Sequence, residues 1–272
     1  MIVQVSTPQM ELWRINGPFS NDLHMHEDDY QITVPMYGTC QFTQENRNYT
    51  LANGTGLVQH PRERHVFEIG GQSGVLIFKV RQESLQEHAR EESLELALSP
   101  QFEPSTLAGR FRQWMDPLLT FDPVERLAQE ETEAQVIRYL CGALSGGRLT
   151  LEREEDKTLA SPATALDPYM AQALNYIHAH YTDAITIGDL ASIAMHSRFH
   201  FIRTFRSAFG VTPYQYVLRL RISESKRLLA ISDRSVTDIG ISLGFSSGSA
   251  FYRAFVKAVG ATPEQFRRDR HT

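Results

Sequence analysis

Two arginines, Arg203 and Arg253, stand 50 residues apart in matching surroundings. A guanidinium can grip O6 and N7 of one guanine through two hydrogen bonds, so arginines repeated in register point to base reading in DNA. Phe205, Gly210, Thr212, Pro213 and Gln215 recur at the same offset as Phe255, Gly260, Thr262, Pro263 and Gln265, while Asp189 answers Asp238 at an offset of 49. The one extra residue falls in the turn Ser246-Ser-Gly-Ser249. Repetition of this kind marks a duplicated structural unit.

The elements that must position those arginines are legible in each copy. A polar residue, Thr186 or Ser235, opens a short helix, and Ile187, Leu190 and Ala194, or Val236, Ile239 and Leu243, share one of its faces. A brief turn follows, Met195-His-Ser197 or Gly244-Phe-Ser-Ser247. The next helix carries Phe201 and Phe205, or Phe251 and Phe255, as an apolar pair four residues apart. Each arginine then lies about 200° around the helix from the first phenylalanine of its pair, away from the core. Gly210 and Gly260 suit a left-handed helix stop, and Thr212-Pro213 and Thr262-Pro263 supply an N-cap and a first-turn proline for another helix. Helix, tight turn and helix with a basic free face is a helix-turn-helix.

Charge agrees with that assignment. The chain has 272 residues and a net charge of −5, but residues 168–272 carry +6 and residues 1–167 carry −11. A basic module that meets a polyanion and an acidic module with another task are implied. The length and a hydrophobic fraction of 42% allow two domains with real cores. Because both helix-turn-helix units and their spacer lie in the +6 segment, that segment is expected to bind DNA by itself, with a steep dependence on salt. No apolar run reaches the ~18 residues of a membrane helix. Met1-Ile-Val-Gln-Val-Ser lacks a basic segment followed by an apolar stretch, and two cysteines, Cys40 and Cys141, make no disulfide framework. A cytoplasmic protein without membrane contact is expected. No nucleophile–base set or phosphate loop is present, so an enzyme is not expected.

Residues 1–80 read as short strands broken at Gly17-Pro18, Tyr37-Gly38, Asn53-Gly54, Gly70-Gly71 and Ser73-Gly74, the texture of an antiparallel barrel or sandwich. Helical spacing follows over Glu83–Leu98, Ser105–Leu119 and Val124–Leu144, separated by Pro104, Pro117 and Pro123. The charge run Glu152–Lys157, then small residues and Pro162, reads as a linker. The expected organisation is α+β with two domains: an N-terminal antiparallel β-barrel over 1–82, a helical dimerisation segment over 83–150, a linker over 151–167, and an all-α domain with two helix-turn-helix units over 168–272.

The duplicated segment resembles the C-terminal domain of the AraC/XylS transcriptional regulators over roughly Met170–Arg267. The second copy carries the family signature as Ile239-Gly240, Leu243-Gly244-Phe245-Ser246, Ser249, Phe251, Arg253, Phe255-Val-Lys257, Gly260, Thr262-Pro263 and Phe266-Arg267. Gly240 replaces the usual alanine and Phe266 the usual tyrosine, and Phe199-His200-Phe201 departs from the usual pair before leucine. The resemblance implies seven helices, with a long central one near Pro213–Ala230 that sets two reading helices into successive major-groove segments on one face of the duplex. By motif position the first reading face is Arg198, Phe199, Ile202, Arg203 and Arg206, and the second is Gly248, Ser249, Ala250 and Arg253, with Lys257 nearer the backbone. Arg203 and Arg253 would read guanine, Phe199 and Ile202 would pack on thymine methyls or sugars, and the donor-poor second face would lean on phosphate contacts from helix N-termini.

Gly17-x6-His24-Met-His26-x4-Gln31-x6-Gly38 resembles the first cupin motif, with Gln31 where metal-binding cupins carry glutamate, and Gly54-x10-His65 resembles the second. This likeness implies a small barrel whose lumen receives a small-molecule effector, with His24, His26, Gln31 and His65 lining it and His24 and His26 on one strand face. No cofactor or metal is expected; the alternative is a divalent ion on His24, His26 and His65, as in a metal-dependent cupin enzyme fused to a DNA-binding module. The helices between Glu83 and Leu144 resemble the family's dimerising segment, with Leu127, Val136, Tyr139, Leu140 and Leu144 as its apolar stripe. The partners implied are double-stranded promoter DNA, an effector, RNA polymerase and a second copy of the chain.

Overall fold

The structure, a computed structural model, describes residues 1–91, 97, 99–119, 123–145 and 167–270. The expected linker therefore lies outside the described residues, apart from Asp167. Two compact units divide the chain. The first holds Met1–Leu119 and Thr132–Lys157; the second holds Thr120–Glu131 and Thr158–Thr272.

Among the described residues, nine strands build the first unit: β1 (Ile2–Ser6), β2 (Met10–Asn16), β3 (Phe19–Ser20), β4 (Asp29–Tyr37), β5 (Cys40–Gln44), β6 (Arg47–Leu51), β7 (Leu57–Gln59), β8 (His65–Ile69) and β9 (Gly74–Arg81). All pair antiparallel, in a five-stranded sheet ordered β1-β2-β9-β4-β7 and a four-stranded sheet ordered β3-β8-β5-β6. The expected barrel is not closed. Each sheet ends in one edge strand of five residues, β1 or β6, and one shorter edge strand, β7 or β3, and among the described residues no ladder joins the two sheets. Closure is replaced by packing between sheets. Ile15, Leu57, Val75 and Ile77 of the first sheet meet Cys40, Phe42, Leu51, Phe67 and Ile69 of the second in one apolar core.

The densest apolar run of the chain, Gly74-Val-Leu-Ile-Phe-Lys-Val80, is β9, the central strand of the larger sheet. Val75 and Ile77 point into the inter-sheet core, while Phe78 is covered on the opposite face by Phe111 and Trp114, whose ring centroids lie 6.4 and 6.3 Å away. A strand buried on both faces has no polar alternation.

Three helices follow: α1 (Gln82–Glu91), α2 (Pro104–Leu119) and α3 (Pro123–Leu144). Residues 92–96 and 98 of the first expected helix lie outside the described residues. Pro117 does not break α2. It sits in the last turn, and Leu107, Phe111, Trp114, Met115 and Leu118 bury one face of the helix around it, which offsets the loss of one backbone hydrogen bond.

Among the described residues, seven further helices lie in the second unit: α4 (Pro168–His180), α5 (Ile187–Ile193), α6 (Arg198–Phe209), α7 (Pro213–Ile231), α8 (Val236–Ser242), α9 (Gly248–Val259) and α10 (Pro263–Arg270). Their ends follow the local chemistry. Thr186, Ser197, Thr212, Ser235 and Ser247 each accept a hydrogen bond from a first-turn N–H, and Gly210 and Gly260 close α6 and α9 in the left-handed region at φ 69° and 79°. Phe201 and Phe205 enter one core with Ile177, Ile187 and Leu190. Phe251 and Phe255 enter another with Ile222, Leu229 and Ile239. At Gly240 a methyl would stand 2.7 Å from Cβ of Phe251, so α8 and α9 pack closely here. Among the described residues no helix is long and apolar enough to cross a membrane.

Candidate nucleic-acid interface and histidine cluster

Each short helix, α5 or α8, is followed by a tight turn and a longer helix, α6 or α9, whose inner face is phenylalanine. On α6 the outward positions include Arg203 and Arg206, both exposed, with Arg198, Phe199 and Ile202 half-buried. Ile202 packs against the first core, so only part of its side chain is free for a base. The Arg203 guanidinium lies 3.3 Å from Nδ1 of His200, which holds it alongside the helix, and the rings of His196 and His200 meet edge to face at 4.3 Å. These two histidines were not expected at the reading surface. The position of His200 three residues before Arg203 is the sequence signal that places it on the same side of the helix, whereas His196 lies in the turn before the Ser197 cap.

On α9 the exposed residues are Ser249, Tyr252, Arg253, Lys257 and Ala258. Ala250 is buried and has no surface to offer a base edge. Gly248 serves packing: a side chain there would meet the hydroxyl of Thr237 at 2.9 Å. Tyr252 supplies the aromatic surface and hydroxyl that sequence reading missed on this donor-poor face, and its place three residues after Ser249 was the available clue. Both helices begin with the serine caps Ser197 and Ser247, which leaves further first-turn N–H groups to meet anions such as phosphates.

The relation between the two cores is set by Arg221, midway along α7 and 1% exposed. Its Nε donates to the carbonyl of Tyr181, Nη2 to that of Asp183 at 2.9 Å and Nη1 to that of Gly244 at 3.0 Å. One guanidinium thus ties the turn before the first helix-turn-helix to the turn inside the second. Gly244 permits the contact, with φ 85° and a hypothetical Cβ only 2.2 Å from the carbonyl oxygen of Thr182.

Residues 190–269 match the family model of a helix-turn-helix domain. The chain carries a helix-turn-helix domain. It is 30% identical over 159 residues to the melibiose operon regulatory protein of Escherichia coli K12, across 58% of this chain and 52% of that protein, and so spans about half that relative's length. It is 24% identical over 247 residues to the HTH-type transcriptional regulator YobQ of Bacillus subtilis, across 90% of this chain and 88% of that one. Among solved structures it is similar to the DNA-binding domain of AdpA in complex with a target DNA, at 30% identity over 38% of this chain and 93% of that chain, with a TM-score of 0.36.

In the first unit, His24 and His26 do not share a strand face. They lie on the segment between β3 and β4, outside both strands, and an isolated bridge pairs His24 with His65 through backbone hydrogen bonds of 3.1 and 2.8 Å. The three rings converge, with centroids 4.3 Å (24–65), 5.0 Å (24–26) and 5.2 Å (26–65) apart. Tautomers follow from the partners, since a carbonyl can only accept. Nδ1 of His24 lies 2.8 Å from the carbonyl of Asp22 and Nδ1 of His65 lies 3.1 Å from that of Glu63, so each of these nitrogens carries the proton. Nε2 of His65 is then a buried acceptor with no hydrogen-bond partner among the described residues. Burial pushes His65 down to about 4 and, with Lys79, lowers His26, so both rings are neutral near pH 7.

Gln31 is occupied behind the cluster. Its Oε1 meets Nε2 of His26 at 3.0 Å, its amide donates to Thr33 at 3.2 Å, and Thr33 continues to Gln59 at 3.4 Å. All three are buried, and Gln31 pairs with Gln59 across β4 and β7. Thr33 and Gln59 escaped sequence reading, although Gln31 and Thr33 alternate along one strand face. Beside the cluster the N–H of Arg62 donates to the carbonyl of His26 at 2.7 Å, and a cavity of about 410 Å³ opens over Glu27, Asp28, Tyr30, His60, Arg62 and Gln82.

Proposed function

We propose that the protein is a sequence-specific DNA-binding transcriptional regulator that acts on promoter DNA, with RNA polymerase as its downstream partner and a small-molecule effector bound by the first unit. The observation that carries this reading is the pair of capped helix-turn-helix units in one seven-helix body, each with an exposed arginine in register on its outer face. Base reading is assigned to Arg203 and Arg253, supported by Arg198, Phe199, Ile202, Arg206 and Ser249, with Lys257 on phosphate. The Arg203→Ala variant is expected to lose about 1–3 kcal/mol of specific affinity and to relax preference at one base pair. Binding of the variant to a library of randomised sites checks this. Equal weakening on selected and random DNA would make Arg203 a phosphate contact.

The effector site is assigned to His24, His26 and His65 with the adjoining cavity, because each ring spends its N–H on a carbonyl of the protein and keeps its other nitrogen to accept from a ligand donor, while Gln31 orients His26 from behind. His26→Ala is expected to blunt the effector response in a reporter assay while promoter DNA is still bound. Unchanged induction with a folded variant would place sensing elsewhere. Homodimerisation is assigned to the exposed faces of α2 and of α3 beyond Thr132; the expected stripe Leu127, Val136, Tyr139, Leu140 and Leu144 is buried within the chain and is not its contact surface.

Nε2 of His65, unpartnered among the described residues, favours a second reading, a divalent metal on the same three histidines, whose candidate ligand atoms all lie within 4.8 Å of one another. A bound metal would supply Lewis acidity there, as in a metal-dependent cupin enzyme. Stoichiometric metal in the purified protein, lost in His65→Ala, is the result that would select it.

A further inference from the structure

The second unit contains more than its seven C-terminal helices: α3 up to Glu131 belongs to it. Leu127 is 2% exposed and sits in the same apolar core as Ile177, Ile187, Phe201 and Phe205. One turn further on, Oε2 of Glu130 accepts a hydrogen bond of 2.6 Å from the N–H of Ile187, the first residue of α5. The next residue, Glu131, is buried, and its Oε1 accepts from the N–H of Tyr214 in the first turn of α7. The Thr212 hydroxyl also bonds that carboxyl, and Arg206 acts on it electrostatically.

These contacts answer a general requirement. The first N–H groups of a helix lack intrahelical partners and form the positive end of its dipole, so a carboxyl placed there holds the helix end in position. Adjacent carboxyls on one helix therefore grip α5 and α7, the two helices that flank the reading helix α6 in sequence, and the leucine beneath them touches the core that receives Phe201 and Phe205 of α6. The grip comes from outside the repeat, and it acts on the first copy.

We propose that Leu127, Glu130 and Glu131 are positioning residues of the first reading helix, so that the DNA reader extends beyond residues 168–272 and includes this part of α3. The helix α3 continues past Thr132 into the first unit, so it is one of the segments that join the two units in sequence. The proposal rests on the DNA-reading function above.

The test uses the full chain and a DNA site selected by the wild-type protein from a random pool. The Glu130→Ala/Glu131→Ala double variant is expected to bind that site about tenfold or more weakly, in line with the loss of hydrogen bonds to charged groups. Base-resolved footprinting is expected to show protection lost under the first reading helix and kept under the second. Glu130→Gln/Glu131→Gln keeps both acceptors and the shape of the side chains, and is expected to restore the footprint. Unchanged affinity and footprint in a folded alanine variant overturns the proposal. So does equal loss of protection under both helices, and so does failure of the glutamine variant to restore the first half of the footprint. If the wild-type chain selects no sequence at all, the DNA-reading function fails first, and the proposal falls with it.

Discussion

Arg221→Ala is expected to abolish sequence-specific DNA binding and to unfold or loosen the second unit. Removing this fully buried side chain leaves the carbonyls of Tyr181, Asp183 and Gly244 without their donor. The three bonds are part-buried, so at about 1 kcal/mol each their loss still amounts to a sizeable share of the ~5–15 kcal/mol that holds a typical domain folded. The geometry suffers as well, since these bonds set the turn of the second helix-turn-helix against the entry to the first. A monomer that reads two successive groove segments needs that spacing. Arg221→Lys is expected to rescue little, because an ammonium cannot reproduce a planar fork that reaches three carbonyls in different directions. Thermal unfolding followed by circular dichroism, together with binding to the selected site, checks both parts. An alanine variant with unaltered melting and affinity would remove Arg221 from the architecture of the reader.

Stability of the second unit is expected to fall as pH rises from 4.5 to 7, and Glu131 is the cause. Burial lifts its carboxyl from 4.5 to about 7, against the pull of Thr212, the Tyr214 N–H and Arg206. Between those values the folded chain retains a proton that the unfolded chain has released. The contribution is therefore complete below pH 4.5 and is lost as pH climbs through about 7, with a size of about 3 kcal/mol at 1.36 kcal/mol per pKa unit. Other groups titrate in the same range, so the diagnostic quantity is the difference from Glu131→Gln, which stays neutral. Denaturant unfolding of the two proteins is expected to agree near pH 4.5 and to diverge by pH 7.5, with the glutamine variant the more stable. Curves that run parallel across this range would mean that the carboxyl is ionised at no cost.

Residue identity and spacing alone determined the parts of this protein that rest on local chemistry. The duplicated unit, the caps Thr186, Ser235, Thr212 and Thr262, the glycine stops at 210 and 260 and the outward arginines all follow from interactions within one or two helical turns, and each appears at the position the sequence implies. Which side chains beside those arginines keep free surface was less legible. Ala250 turns inward because α9 packs on α8, whereas Tyr252 stays exposed.

Long-range geometry decided the rest. Whether the strands close into a barrel depends on whether a ladder joins the two sheets, and that pairing is not written in alternation. His65 meets His24 through a bridge spanning 41 residues of chain, which no spacing rule specifies. Arg221, Glu130 and Glu131 read in sequence as ordinary charged positions on helices. They acquire meaning only from the carbonyls and N–H groups that other segments bring to them, since a buried polar group is stabilised by its partner and that partner lies up to 83 residues away.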